Sequence, residues 1–85
     1  MRKEMVVQLA GGLEARPIAV LVQVASQFES SIYLEADGKR VNAKSIMGMM
    51  TMALKVGEKL TVEANGSDEA AAIDGIEKYI SGQEA

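Results

Sequence analysis

An α+β fold, with helices covering one face of a mostly antiparallel sheet, is what three features of this 85-residue sequence predict. Segments of period-two and helical periodicity alternate along the chain, in the order strand, helix, strand, strand, helix, strand, helix. Asp37-Gly38 joins two short apolar-alternating runs, as the tight turn of an antiparallel hairpin does. No linker, low-complexity tract or repeat interrupts the order, so residues 1–85 read as one domain.

Each element has its own reason. Met5, Val7 and Leu9 alternate with Glu4, Val6 and Gln8, as in a half-buried strand, and Gly11-Gly12 ends the pattern. Pro17 marks the first turn of a helix, where no amide proton is needed. Ile18, Leu21, Val22 and Ala25 share one face of that helix, with Phe28 a turn further on, and Val20 and Val24 widen the apolar stripe. The segment is rich in β-branched residues, so packing must hold it helical. Ile32 and Leu34 face the core from the first arm of the hairpin, and Val41 from the second. Ser45 caps a short second helix, whose buried face the spacing assigns to Ile46, Met50 and Leu54 or Ala53. Leu60, Val62 and Ala64 alternate with Lys59, Thr61 and Glu63 in a fourth strand. Asn65-Gly66 turns the chain, Ser67 caps the last helix, and Ile73, Ile76 and Ile80 fall on its buried side. Two architectures fit this string: a ferredoxin-like split βαβ with an extra helix, and an open-faced sandwich with three helices.

Composition removes several kinds of chemistry. The chain has no cysteine and no histidine, which excludes disulfides, thiolate chemistry, the usual metal ligands and the usual general base. Nine Lys and Arg against 12 Asp and Glu give a net charge of −3, without the basic footprint that a nucleic acid needs. The longest apolar run, Ile18 to Val22, is far short of the ~20 residues that span a membrane, so a soluble cytoplasmic protein is expected. No paired carboxylates or activated serine point to catalysis, and no metal or cofactor is expected. A chain this short buries only about 60–65% of its unfolded surface, which leaves little room for an enclosed cofactor.

Two segments stand out. In Gly11-Gly12-Leu13-Glu14-Ala15-Arg16-Pro17, a glycine-softened turn runs into a helix start, with a carboxylate and a cation beside its free amides. By pattern alone Glu14 is a helix-stabilising charge. In Asn42 to Leu54, four of the six methionines lie within six positions. One helical face cannot bury them all, so at least one large apolar side chain is left on the surface, where adaptable methionine suits a partner. A methionine stripe is more commonly a core edge, and a serine such as Ser45 is more commonly a plain cap. A phosphoryl group on Ser45 would nevertheless be tolerated at a helix start and would make the surface around Met47 strongly acidic.

At these two segments the sequence resembles HPr, the histidine-containing phosphocarrier family of the bacterial sugar phosphotransferase system. Gly12-Leu13-Glu14-Ala15-Arg16-Pro17 is similar to the family's Gly-Leu-His-Ala-Arg-Pro signature, and Lys44-Ser45-Ile46-Met47-Gly48 to its regulatory serine site. Motif separation and element order match the family over essentially the whole chain, so residues 1–85 are expected to form a single HPr-like domain. The resemblance implies the open-faced β-sandwich, a four-stranded antiparallel sheet with three helices on one face. Glu14 stands at the place of the phosphorylated histidine, so phosphohistidine carriage is not expected. This is the pattern of Crh, the catabolite-repression branch that lacks the histidine and keeps the serine, although glutamine stands at the histidine's place there.

What the resemblance implies for function is a phosphoprotein rather than an enzyme. Ser45 would be phosphorylated by the HPr kinase/phosphorylase, using ATP or pyrophosphate. The modified chain would act in carbon catabolite repression as corepressor of a CcpA-type regulator of the LacI family. Glu14, Arg16, Lys44, Ile46, Met47 and Met50 are the expected partner-binding residues. The charge of Glu14 would partly imitate a phosphorylated histidine. Two alternatives stay open: a constitutive module that binds a metabolic enzyme whether or not Ser45 is modified, and a divergent phosphotransferase component. The small core and the glycines near position 11 also permit strand exchange and a homodimer.

Overall fold

The computed structural model describes residues 1–9, 11–12 and 15–82. The order is β1 (Arg2–Val6), α1 (Ala15–Ser26), β2 (Ser31–Ala36), β3 (Lys39–Asn42), α2 (Ile46–Met49), β4 (Lys59–Asn65) and α3 (Glu69–Ile80). The sheet runs β1-β4-β2-β3 and every neighbouring pair is antiparallel. A ferredoxin-like split βαβ would set its first strand inside the sheet beside the third, whereas β1 here lies at the edge beside β4, so the open-faced sandwich is the one of the two architectures that formed.

Alternation builds the core. Met5 faces Leu60 across β1 and β4, and Leu34 sits between Val62 on one side and Val41 on the other. Met5, Ile32, Leu34, Leu60, Val62 and Ala64 all point to one face and are buried. Ile18, Leu21 and Ala25 of α1, Met49 of α2 and Ile73, Ile76 and Ile80 of α3 close over them. Each buried Val, Leu, Ile or Met side chain among them contributes about 1.5–3 kcal/mol by leaving water. The helices therefore lie on one side of the sheet. Val22 and Val24 pack against this core as partly buried residues, whereas Val20, expected to widen the stripe, is left exposed.

The hairpin turn formed as its residues require. Asp37 has φ 52° and Gly38 φ 75°, the pair of positive angles that matches strand twist. Among the described residues, no helix is long and apolar enough to cross a membrane.

The uncovered face of the sheet carries charge. Arg2 Nη1 donates to Glu63 at 2.6 Å and to Glu35 at 3.0 Å, while Arg40 Nη1 donates to Glu35 at 2.6 Å and to Glu63 at 2.9 Å. Arg40 also stacks 4.4 Å above the Tyr33 ring. Together these tie β1, β4, β2 and β3 across the face that meets water.

One expected cap is corrected. Asp68, not Ser67, occupies the N-cap position of α3, and its side chain makes no capping bond there. The carboxylate instead accepts the Glu29 amide at 2.9 Å, the Ser30 amide at 3.0 Å and the Ser30 hydroxyl. Those three donors hold its pKa below the ordinary value, the Ser30 hydroxyl most of all. Closing the loop between α1 and β2 therefore takes precedence over capping α3.

Candidate functional site

Ser45 is built by the turn that precedes it. The Lys44 amide donates to Asn42 Oδ1 at 2.8 Å and the Ser45 amide to the Asn42 carbonyl at 3.0 Å, so Asn42 folds the end of β3 back towards α2. Ser45 then takes extended dihedrals, φ −103° and ψ 111°, and its Oγ accepts the Gly48 amide at 3.3 Å. The hydroxyl is at an exposed residue. A Cβ at position 48 would stand 3.5 Å from that Oγ, so larger side chains would begin to crowd it. Past the helix, Thr51 Oγ1 donates to the Gly48 carbonyl at 2.7 Å and closes the turn.

The buried side of this helix differs from the expected one. Met49 is fully buried, together with Met52 and Leu54 beyond it, while Ile46 is 45% exposed, Met50 51% and Met47 81%. The expectation that Ile46 and Met50 point inward with Leu54 is overturned. Its physical cause is length: α2 spans four residues, Ile46–Met49, so 100° spacing cannot be carried through to Leu54. The result is three large apolar side chains, Ile46, Met47 and Met50, exposed beside one hydroxyl.

The remaining residues are distributed unevenly around this patch. Arg16 is exposed in the first turn of α1, and α1 packs against α2. Lys44 is partly buried and spends its ammonium on the Phe28 carbonyl at 2.6 Å, just past the end of α1. It ties α2's approach to α1 more than it faces outward. Glu14, like Leu13, lies outside the described residues.

A contact that the spacing gave no sign of ties the two segments together. Gly12, at φ 76°, lies against the chain just after α2: a Cβ there would collide with the Leu54 carbonyl oxygen and reach within 3.0 Å of Lys55 Cα. Only the glycine itself, at a chain approach this close, carried the signal. Next to this junction, Ala36, Asp37, Lys39, Thr51, Met52, Ala53 and Leu54 line a cleft of about 180 Å³. Lys39 Nζ crosses its rim to donate to the Thr51 carbonyl at 3.2 Å. Two of its polar groups are already engaged, Lys39 Nζ by the Thr51 carbonyl and the Thr51 hydroxyl by the Gly48 carbonyl.

Comparison with known proteins finds the same family and the same fold. The family model described as the PTS HPr component phosphorylation site matches residues 1–82. The chain is 45% identical over 80 residues to the HPr-like protein Crh of Bacillus subtilis, covering 94% of each. Its structure is similar to the crystal structure of the phosphocarrier protein HPr of Bacillus anthracis, with a TM-score of 0.90 at 44% identity, covering 94% of this chain and 95% of that one. It is also similar to the crystal structure of Bacillus subtilis Crh, described as a swapped dimer, with a TM-score of 0.76 at 47% identity over 89% of this chain and 87% of that one.

Proposed function

The chain belongs to the HPr family, and from that premise we propose that it is a regulatory phosphoprotein of carbon catabolite repression, switched at Ser45. The observation that carries this reading is the exposed Ser45 hydroxyl flanked by the exposed Ile46, Met47 and Met50. A kinase of the HPr kinase/phosphorylase type removes the hydroxyl proton and moves a phosphoryl group from ATP or pyrophosphate to Oγ. ADP, or phosphate, leaves. The product adds about −1.5 to −2 charge beside an apolar patch. That combination suits a partner carrying basic residues around a hydrophobic pocket, and the partner proposed is a CcpA-type regulator of the LacI family.

Phosphohistidine transfer is no part of this function, because the chain has no histidine. The chain acts by binding and catalyses nothing itself, and its place of action is the cytoplasm. Arg16 extends the docking surface from α1, and Glu14 is proposed to act there as a fixed negative charge that slows the kinase. Comparing Ser45 phosphorylation in Glu14→Gln and the parent tests the latter: a faster variant at low salt supports it, and equal rates at low and high salt remove it.

A second reading has its own support. Ile46, Met47 and Met50 are exposed before any modification, so a constitutive module could bind a metabolic enzyme through them with Ser45 unmodified. Incubation with kinase and ATP, followed by partner binding of both forms, separates the two: the switch requires a gain on phosphorylation, the constitutive module requires none. A homodimer is proposed by likeness to swapped Crh. Sedimentation finds a species of twice the 9.0 kDa chain mass if it forms, and the monomer alone if it does not.

A further inference from the structure

The sulfur chemistry of this chain is sorted by burial. Without cysteine, its six methionine thioethers are the only sulfur atoms that can react with an oxidant. Met49, Met52 and Met5 are buried at 0, 3 and 5% exposure. Met47 at 81%, Met50 at 51% and Met1 at 49% are open to solvent. Two of the three reachable thioethers therefore sit on the docking patch, within five residues of Ser45, and the third belongs to the N-terminal residue.

From this distribution we infer that Met47 and Met50 are an oxidation site, at which a peroxide converts the docking patch from apolar to polar and so turns docking off. The inference rests on the docking surface proposed above. In the step, a sulfur lone pair attacks one peroxide oxygen, the O–O bond breaks and an S–O bond forms. The thioether loses two electrons, and the departing hydroxide takes the proton of the new sulfur-bound hydroxyl, so that sulfoxide and water are left. Burial of Met49, Met52 and Met5 shields their sulfur, so the core keeps its packing while the patch changes. A sulfoxide cannot enter an apolar pocket without leaving its oxygen unpaired, and that opposes docking whatever the state of Ser45. Enzymatic reduction of the sulfoxide restores the thioether, so the change is reversible.

The test is peroxide titration of the Ser45-phosphorylated protein, with sulfoxides located by mass spectrometry and regulator binding measured before and after. The expected map has Met47 first, then Met50 and Met1, with Met49 and Met52 intact and the melting temperature unchanged. Binding should weaken about tenfold or more, and methionine sulfoxide reductase should restore it. The Met47→Leu/Met50→Leu form, measured against its own starting affinity, should lose nothing, while Met1 oxidises in both proteins and shows that peroxide acted equally. Unchanged affinity in fully oxidised parent, or oxidation of Met49 as fast as Met47, overturns the inference. If the untreated parent never binds the regulator, the docking reading itself has failed, and that shows before any peroxide is added.

Discussion

The Asp68 carboxylate and the Ser30 hydroxyl form the link that joins the start of α3 to the turn ahead of β2. Ser30 is the one fully buried polar residue among those described, at 1% exposure, and Gly66 packs directly over it, where a Cβ would meet Ser30 Cα at 2.7 Å. Ser30→Ala removes the hydroxyl and leaves a carboxylate with one donor fewer. The expected loss is about 1–3 kcal/mol in urea unfolding, with the folded structure retained.

Acid should act on the uncovered face of the sheet. Hydrogen bonds from Arg40, then from Asn65, with Arg2 adding to them, hold the Glu63 carboxyl at about 2, against an ordinary 4.5. Glu35 is likewise lowered, by Arg2 first and then Arg40. Because these pKa values fall on folding, their stabilisation is complete above the ordinary carboxylate value and is lost as pH falls through the folded one. Thermal melts from pH 5 down to pH 2 should therefore decline, and Glu63→Gln should decline less steeply across the same window. Parallel curves for the two proteins would remove Glu63 from the cause.

The methionines of the second segment should separate cleanly by stability. Met49→Ala empties a fully buried site and should cost about 2–5 kcal/mol. Met47→Ala, at an exposed site, should stay within about 0.5 kcal/mol. Equal costs would mean that the buried side of α2 has been assigned to the wrong residue.

That pair also marks where the sequence stops being readable. Strands were legible because alternation survives over short lengths: Leu60, Val62 and Ala64 are buried as their spacing requires. The twelve-residue helices α1 and α3 were legible too, since three turns fix a face. Four-residue α2 has no repeat to read, and its orientation comes from Met52 and Leu54 pulling the following chain into the core. Ser67 and Asp68 are both good caps by type, so only the position of the Ser30 loop decides between them. Ser45 was legible as a cap, while the packing of Gly12 against Leu54 depends on contacts 42 residues apart. The order of the strands could not be read from periodicity and came from the likeness of two motifs.

Gly12 should be as intolerant as that contact implies. Gly12→Ala adds a Cβ against the Leu54 carbonyl at a positive φ, so the segment ahead of α1 must move away from the chain after α2. Amide chemical shifts of residues 52–55 should change and the melting temperature should fall. Unchanged shifts there would deny that the two segments are joined.

Regulator affinity before and after treatment with kinase and ATP, with the phosphoryl group located by mass spectrometry, decides whether Ser45 is a switch. A single phosphoryl group on Ser45 and a gain in affinity that Ser45→Ala lacks are predicted. Phosphate at another residue, or equal affinity of the two forms, would mean that Ser45 is no switch.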